Sequence, residues 1–464
     1  MLGSRRRSRL SNEGFDIEAM KERAKIPAKK APAWHAHYHG KIETALKCSV
    51  RELEDFGIWY TPGVAAPCRE IHDDPMKVFD YTNKANAVAV VSDGSRVLGL
   101  GKIGPEAGLP VMEGKALLFK YLGGVGAFPI MLDTEDPDEI VQAVKWIAPG
   151  FGGINLEDFE NPKCFYILDR LREELEIPVW HDDQQGTAAI VLAAVINALK
   201  IVGKPLAEAK IAQLGIGAAG AAGVRVMIKA GIPAGNVRVV DLVDGEPTVL
   251  GPGMDLETLF PYRGEMLSQT NAEGVVGGPA EAMRGADVVI SFTKPGPDTI
   301  DPDWIRGMNA DAIVLVMANP IPEIWPWDAK AAGARIVGTG RSDFPNQVNN
   351  SIGFPGIFRG TLDVFAKTIT DEMAIAASRA IAATAEARGL HDEYIVPSMM
   401  ETDVFVNQAV AVGLKAIEQG IARRVLSEAE LRASAEEKIR HAQAETAALM
   451  ASGQIGPPPE GIVS

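Results

Sequence analysis

The sequence is short of cysteine, of positive charge and of long apolar runs. Cys48, Cys68 and Cys164 form no C-x-x-C pair and cannot all join internally, which argues against a disulfide-stapled secreted fold and favours a reduced, cytoplasmic compartment. A formal net charge of −15 argues against a broad nucleic-acid surface, which needs clustered Lys and Arg. The longest apolar helix-like run, Thr187–Leu199, has 13 residues, whereas a bilayer needs about 20, so we expect a buried helix and no membrane partner.

What the chain does have is glycine and alternating apolar segments. With 464 residues, 47% hydrophobic content and 47 glycines, it is long enough for two domains with separate cores. Short apolar runs such as Ala87–Gly94 and Ile177–Asp183 alternate with helix-like stretches, which is typical of a mainly parallel sheet. A second series begins with strand, glycine loop and helix over Lys210–Gly231 and predicts a doubly wound, Rossmann-like sheet. We therefore predict an α/β fold with an N-terminal α/β domain, a Rossmann-like domain and C-terminal helices.

The same patterns predict domain boundaries. Both ends of the chain lack apolar periodicity, notably "RRRSR" near the start and "GQIGPPPEGIVS" at the end, so we expect poorly ordered tails there. The predicted division is a disordered basic tail at 1–37, an α/β domain at 38–190, a dinucleotide-binding domain at 191–365, helices packing on the core at 366–450, and a tail at 451–464.

A glycine loop carries the dinucleotide prediction. The stretch "LGIGAAG" follows a predicted strand and opens a predicted helix, as a G-x-G-x-x-G fingerprint requires. Glycines permit the tight turn, the close approach of a pyrophosphate and the packing of helix on strand, while the helix N-terminus attracts phosphate. The residues of the loop expected to bind the cofactor are Gly215, Gly217, Ala218, Ala219 and Gly220.

An acidic residue after the next strand bears on which cofactor is used. Asp241 lies 21 residues beyond Gly220 (241 − 220), close to the offset at which an acid binds the ribose hydroxyls. It would repel a 2′-phosphate, and no Arg or Lys occurs in the following "LVDGEP". We therefore predict NAD rather than NADP, with a strand-end acid that only caps a turn as the alternative.

Two acidic pairs follow predicted strands. Glu157 and Asp158 end one apolar segment, and Asp182 and Asp183 end another. Carboxylates gathered in one crevice would raise one another's pKa values unless a divalent cation joined them, and their oxygens suit Mg²⁺ or Mn²⁺. Alternatively, one pair is a surface turn in which Asp183 caps the following helix. The spacing leaves both interpretations open.

Eight motifs in order resemble the malic enzyme family, in its short prokaryotic-type form, over residues 38–420. Each alone is modest, but their fixed order is highly specific. They are "YTPGVAAP" (60–67), "VSDGSRVLGLGKIGP" (91–105), "VMEGKALLFKYLGGVGAFPI" (111–130), "GGINLEDF" (152–159), "HDDQQGTA" (181–188), "LGIGAAG" (214–220), "ANPIPEI" (318–324) and "GRSDFPNQVNNSIGFPGIFRG" (340–360).

The resemblance implies roles for particular residues. It makes 38–190 the catalytic and metal domain, with Glu157, Asp158 and Asp183 as ligands of Mg²⁺ or Mn²⁺ and Asp182 only as their neighbour. It makes Lys115 the general base. Because free Lys has a pKa near 10.4, we expect burial or cationic neighbours to lower the pKa of Lys115.

The remaining implied roles concern substrate and acid. The resemblance makes Tyr60 the general acid and places Asn319, Asn349 and Asn350 around nicotinamide and malate. Arg96 falls where some family members use an arginine on a substrate carboxylate.

The implied reaction is the oxidative decarboxylation of L-malate to pyruvate and CO₂ with reduction of NAD, in a cytoplasmic homodimer or larger homo-oligomer. Resemblance also suggests that Tyr60 and Lys115 reach the active site of a neighbouring subunit. Two alternatives stay open: a metal-dependent oxaloacetate decarboxylase without physiological hydride transfer, and a non-catalytic dinucleotide sensor.

Overall fold

The computed structural model describes residues 17–459 and has two mainly parallel sheets, each covered by helices. The strands are β1 (Ala87–Ser92), β2 (Gly126–Met131), β3 (Gly153–Leu156), β4 (Val179–His181), β5 (Ile211–Leu214), β6 (Val237–Val243), β7 (Glu246–Val249), β8 (Val288–Ser291), β9 (Ile313–Val316) and β10 (Ile336–Thr339). The helices are α1 (Ile17–Tyr38), α2 (Leu53–Trp59), α3 (Ala65–Asp73), α4 (Val78–Tyr81), α5 (Pro105–Gly123), α6 (Pro137–Ile147), α7 (Lys163–Glu174), α8 (Thr187–Ile201), α9 (Ala218–Ala230), α10 (Leu256–Leu259), α11 (Gly264–Ser268), α12 (Pro279–Met283), α13 (Pro302–Arg306), α14 (Pro326–Ala331), α15 (Phe354–Asp363), α16 (Asp371–Glu386), α17 (Asp403–Glu418) and α18 (Glu428–Ala451). The predicted α/β class is confirmed.

The first sheet has the strand order β2-β1-β3-β4, with all strands parallel. Its central strand β1 is buried along its whole length, as expected for a parallel strand covered on both faces. From β1 the chain adds β2 on one side of the sheet and then β3 and β4 on the other. A crevice therefore opens at the carboxyl ends of β1 and β3, where the order of strands reverses. Leu156 pairs with Val91 on one side and His181 on the other, so the residues that follow β3 and β4 leave the sheet side by side.

The second sheet has the order β10-β9-β8-β5-β6-β7, in which only β7 is antiparallel. This is a Rossmann-type order with the switch point between β5 and β8. Leu214 pairs with Val240 and with Ser291, so the glycine loop after β5 lies directly beside the loop after β8. The boundaries at 190 and 365 stay predictions.

Helix α8 connects the two sheets and lies at the centre of the molecule. Most of its residues are buried, which confirms the buried helix predicted there. The segment Asp182–Ile201 is long and apolar enough to cross a membrane, but 78% of its most apolar window is inside the fold. The side-chain Nδ2 of Asn197 donates to the carbonyls of Ala382 at 2.9 Å and Ile395 at 2.8 Å, which joins this helix to the C-terminal segment.

The C-terminal helices join both halves. Helix α16 packs on α8 and α9, while α18 packs on α17, α15 and α5. Inside this layer the guanidinium of Arg359 bonds the carboxylate of Asp363 at 2.7 Å, and Lys438 of α18 bonds the same carboxylate. These charges join α15 to α18, while the predicted helical region at 366–450 stays a prediction.

The predicted disordered tail at 1–37 is wrong over residues 17–37. These residues belong to α1, whose Ala- and Lys-rich composition suits a helix despite Pro27 and Pro32. At the end of α1 the hydroxyl of Tyr38 donates to the carbonyl of Gly456 at 2.8 Å, which ties the helix to the C-terminal segment. Residues 1–16 and 460–464 of the predicted tails lie outside the described part of the chain.

Candidate active site

Three carboxylates converge where β3 and β4 end. One oxygen each from Glu157, Asp158 and Asp183 can be chosen so that all three lie within 4.8 Å of one another. Neighbouring side chains in a regular strand point to opposite faces, but Asp158 has φ +58°, and this left-handed turn breaks the alternation. Its backbone N–H also donates to Asp183 Oδ2 at 2.9 Å, which draws the two segments together.

The carboxylate set fits a divalent cation. Burial, with Asp183 beside it, raises the pKa of Asp158 to about 8, and burial also raises the pKa of Glu157 well above its ordinary value. Asp158 Oδ2 is buried without a hydrogen-bond partner among the described residues. The site offers only oxygen ligands, which Mg²⁺ and Mn²⁺ prefer. A bound cation would also pair with the unpartnered oxygen of Asp158 and cancel the repulsion among the three carboxylates.

Lys115 of α5 enters the same crevice from its own chain. Its Nζ lies 2.6 Å from Asp182 Oδ2 and 3.0 Å from Glu157 Oε1, and it lies 4.4 Å from the ring centroid of Phe354. Burial alone would lower the pKa of Lys115, but the carboxylates of Asp182 and Glu157 outweigh it and raise that pKa. The predicted lowering is therefore wrong, because the neighbours of Lys115 are anionic. The expectation that a neighbouring subunit supplies Lys115 is wrong as well.

Asp182 is the partner of Lys115, a role that sequence reasoning missed. Its side chain is fully buried, and Oδ1 accepts from Trp180 Nε1 at 3.1 Å. A Cβ on Gly186 would lie 1.8 Å from Asp182 Oδ1, so only glycine fits opposite this carboxylate. The available signal was the lysine itself, since a buried ammonium requires an anionic partner.

Arg96 lies at the edge of the crevice, on the loop after β1. Its backbone N–H donates to the carbonyl of Asp158 at 3.0 Å, while its side chain is exposed. The backbone N–H of Leu98 also donates to Asp158 Oδ1, at a longer distance of 3.5 Å. The loop thus holds Asp158 in position and leaves a free guanidinium near the opening.

The glycine loop has the geometry that its motif predicts. Gly215 has φ +85°, and a Cβ there would lie 2.6 Å from the carbonyl oxygen of Phe292. Gly220 passes so close to Gly215 that a Cβ would lie 2.1 Å from its carbonyl. Gly217 precedes α9, which Ala218 and Ala219 begin, so the first amides of that helix face the loop.

The side chain of Asp241 is hydrogen-bonded to this glycine loop. Its Oδ2 accepts from the N–H of Ile216 at 2.7 Å, and its Oδ1 accepts from the N–H of Leu242 at 2.7 Å. A carboxylate oxygen can accept more than one hydrogen bond, so both oxygens of Asp241 keep capacity for a ribose hydroxyl. The carboxylate also shapes the loop, so the turn-stabilising role and the ribose-binding role are compatible.

The three predicted asparagines lie beyond the carboxyl ends of β9 and β10. The backbone of Gly340 contacts two of them: a Cβ there would lie 3.0 Å from Asn319 Nδ2, and its carbonyl accepts from Asn349 Nδ2 at 3.3 Å. Asn349 Oδ1 accepts from the N–H of Ser351, and half-buried Asn350 follows. A Cβ on Gly99 would lie 2.7 Å from the carbonyl of Asn319, so the loop after β1 reaches the dinucleotide domain here.

Comparison with known proteins accounts for this arrangement. Residues 39–172 match the family model of the malic enzyme N-terminal domain, and residues 334–417 match that of the malic enzyme NAD binding domain. A bifunctional malic/malolactic enzyme of Bacillus subtilis is 46% identical over 397 residues, covering 84% of this chain and 94% of the relative. This chain belongs to the malic enzyme family.

Two further relatives agree with this family membership. A NAD-dependent malic enzyme of Geobacillus stearothermophilus is 48% identical over 388 residues, covering 84% of this chain and 79% of the relative. The crystal structure of the malic enzyme from Pyrococcus horikoshii superposes with a TM-score of 0.86 at 57% identity, covering 89% of this chain and 94% of that one. The predicted family and oxidoreductase class are confirmed.

One predicted site residue of this malic enzyme stands apart. Tyr60 follows α2, and 72% of its surface is exposed. No described contact joins it to Lys115 or to the carboxylates. The single chain therefore gathers the predicted base and metal ligands but leaves the predicted acid at the surface.

Proposed function

We propose that this protein oxidises L-malate to pyruvate and CO₂ with reduction of NAD, using Mg²⁺ or Mn²⁺. One observation carries the proposal: a buried lysine touches Glu157, a member of the three-carboxylate set, in a crevice that also meets the loop of Asn319. A binding protein has no need of that buried combination. Asp241 and the printed name of the Geobacillus relative support NAD as the cofactor.

The residues of the chain supply the proton steps. A bound divalent cation would act as a Lewis acid toward negative charge developing on the substrate, and bound NAD would accept the hydride. Lys115 must first be neutral, and we assign its proton to Asp182, whose Oδ2 lies 2.6 Å from Nζ. The free amine then takes the proton of the malate C2 hydroxyl. Arg96 is placed to bind a substrate carboxylate, with Asn319, Asn349 and Asn350 lining the nicotinamide side.

Loss of CO₂ leaves an enolate whose C3 needs a proton, and we assign that proton to Tyr60 of a second copy of the chain. Tyr60 ends a segment with an unusual density of exposed apolar side chains, at Leu46, Leu53, Phe56 and Ile58. Such a patch marks a protein interface, and a twofold dimer would deliver each Tyr60 to its neighbour. The proposed assembly is a homodimer or a larger homo-oligomer.

We also propose a cytoplasmic location. Cys48, Cys68 and Cys164 are all free thiols, which is typical of proteins in a reducing compartment.

The activity is tested by mixing the protein with L-malate, Mn²⁺ and NAD and following reduced nicotinamide by absorbance. We expect stoichiometric NADH and pyruvate, and chelation of Mn²⁺ should abolish both. CO₂ release from oxaloacetate without NADH formation from malate would instead indicate a decarboxylase. Cofactor binding with neither product would indicate a sensor, and lactate in place of pyruvate would also contradict the proposal.

The residue roles separate in two variants. Tyr60→Phe should reduce malate turnover by about 10²–10⁴-fold, the usual contribution of one acid–base group, but should largely spare reduction of pyruvate-like keto acids that need no C3 proton. Lys115→Ala should impair both reactions. Near-normal malate turnover by Tyr60→Phe would show that the acid has been misassigned.

Subunit complementation tests the origin of Tyr60. A hybrid of Tyr60→Phe and Asp183→Asn chains has one intact site if the tyrosine crosses to the neighbour, and none if it serves its own chain. Co-expression with two affinity tags would isolate the hybrid, which should recover about half of wild-type activity if two sites act independently. An inactive hybrid would exclude the shared site.

A further inference from the structure

A second contact between the two halves lies away from the carboxylates. Tyr262 and Arg263 fall between α10 and α11 of the dinucleotide domain and contact Phe165 on α7. The rings of Tyr262 and Phe165 stack with centroids 6.2 Å apart. The guanidinium carbon of Arg263 lies 5.0 Å from the Phe165 ring centroid and 5.5 Å from that of Phe260. The cation is thus held against two aromatic faces, one from each side of the contact.

Arg263 also holds the glycine loop. It is only 8% exposed, and its Nη1 donates to the carbonyl of Ile216 at 2.6 Å. Ile216 lies between the first two glycines of the loop, and its N–H is bonded to Asp241. Both polar groups of this residue are therefore fixed by side chains: its N–H by an acid from β6, and its carbonyl by an arginine that reaches toward the other domain.

The other end of the contact leads toward the carboxylates. Helix α7 begins at Lys163, five residues after Asp158. The carbonyl of Cys164, next to Phe165, accepts from Gln184 Nε2 at 3.3 Å. Gln184 follows Asp183 in the wide helical turn Asp182–Gly186. Buried packing and hydrogen bonds thus run from the Asp183 turn through Phe165 and Arg263 to the glycine loop.

We propose that Arg263 is a positioning residue that shapes the glycine loop for NAD and links its order to that of the carboxylate crevice. The inference rests on the proposed function in taking NAD and a metal-bound dicarboxylate as the ligands. A link of this kind is reciprocal: a ligand in the crevice tightens NAD binding, and NAD tightens binding in the crevice. Arg263 touches neither ligand in this account and acts through the carbonyl of Ile216.

The experiment measures NAD binding directly, by titration calorimetry, with Mn²⁺ alone and with Mn²⁺ plus oxalate, a dicarboxylate that has no C–H bond and therefore no hydride to transfer to NAD. In the wild-type protein oxalate should tighten NAD binding about fivefold or more, the lower range of measured couplings between sites. Arg263→Met should weaken NAD binding with Mn²⁺ alone about tenfold and remove most of the oxalate effect. Arg263→Lys should recover part of the affinity, because an ammonium can still donate to the carbonyl.

Two matched variants separate positioning from general stability. Phe165→Leu keeps the Arg263–Ile216 bond, so NAD affinity with Mn²⁺ alone should hold while the oxalate effect shrinks. Arg238→Met removes an equally buried arginine of β6 in the same domain, which bonds the carbonyls of Ala282 and Arg284, and should leave both quantities unchanged.

Unaltered NAD affinity and oxalate effect in folded Arg263→Met protein would overturn the inference, as would an undiminished oxalate effect in folded Phe165→Leu protein or an equal loss in Arg238→Met. Absence of any oxalate effect in the wild type would also overturn it. Failure of the proposed function shows separately, as wild-type protein that forms no NADH from malate, because the titrations require no turnover.

Discussion

Two buried charge clusters in this molecule are built on opposite principles. The active-site cluster holds Glu157, Asp158, Asp182 and Asp183 around one cation, Lys115. There burial raises the pKa of the buried carboxyls, with Asp158 at about 8. An excess of buried acid costs free energy, which protonation of a carboxyl or a bound cation relieves.

In the C-terminal cluster, cations outnumber carboxylates. Arg359 and Lys438 bond the single carboxylate of Asp363, and Arg359 also donates to Asn86 Oδ1 at 2.6 Å. Burial would raise the pKa of Asp363, but the two cations outweigh it and lower that pKa. Buried charge alone therefore does not mark a functional site. In these two clusters the carboxyl pKa moves in opposite directions, up where acids predominate and down where cations predominate.

The largest effect should come from removing an acid of the active-site cluster. Asp158→Asn is nearly isosteric, and Asn tolerates the left-handed backbone at this position. We expect malate turnover to fall about 10³-fold, the upper range for losing one group that stabilises developing charge. Unfolding free energy measured in chelator should not fall. Wild-type Mn²⁺ dependence and turnover in this variant would contradict the assignment.

Removing the carboxylate of the C-terminal cluster should lower stability and leave turnover unchanged. Asp363→Asn leaves Arg359 buried without its anion, so unfolding free energy should fall by about 3–5 kcal/mol. Turnover per folded molecule should stay near the wild-type value, because Asp363 lies outside the crevice. Urea denaturation and steady-state kinetics on the same preparation measure the two quantities. An unchanged denaturation midpoint would mean that the pair adds nothing to stability.

Mn²⁺ should stabilise the folded protein by binding to the active-site cluster and not to the C-terminal cluster. A ligand present at about 100 times its Kd adds about 2.7 kcal/mol to the free energy of unfolding. Wild-type and Asp363→Asn proteins should both show this gain in thermal denaturation, and Asp158→Asn should lose most of it. Equal stabilisation of all three proteins would place the metal elsewhere.

The smallest expected effect is in the acid dependence of stability. Because the pKa of Asp363 is lowered in the folded protein, its contribution is complete above the unfolded value of about 4 and is lost as pH falls through the folded value. Stability of the wild type should therefore fall more steeply than that of Asp363→Asn below about pH 4, and the two should converge. Thermal denaturation in chelator across this range is the measurement. Parallel curves would show that Asp363 does not titrate between the two states.

Local pattern was enough for the fold, whereas the residues of the crevice were assigned only through the resemblance of the eight motifs to the malic enzyme family. Fully apolar runs such as β1 predict parallel strands, and ordered motifs bring the three expected ligands to neighbouring strand ends. Helix periodicity does not show which of two lysines is buried. Lys115 and Lys120 lie on α5 about 140° apart, so one enters the crevice while the other pairs with Glu445 near the surface.

Partners that lie far apart in the sequence could not be predicted from local pattern or from the motifs. The role of Asp182 depends on Lys115, which is 67 residues away, and that of Arg263 depends on a carbonyl 47 residues away. Neither pair belongs to a periodic pattern or a local cap. The helical order of residues 17–37 was missed because charge near the start of the chain was weighed above the Ala- and Lys-rich composition that follows.

The two hydrogen bonds of Asn197 have a consequence for synthesis of the chain. Their acceptors, the carbonyls of Ala382 and Ile395, emerge from the ribosome 185 and 198 residues later. At about 5–20 residues per second, the most apolar helix waits roughly 10–40 s for the layer that covers it. Nascent chains halted before residue 382 should therefore expose α8 to chaperones and to aggregation, and chains released after residue 395 should not.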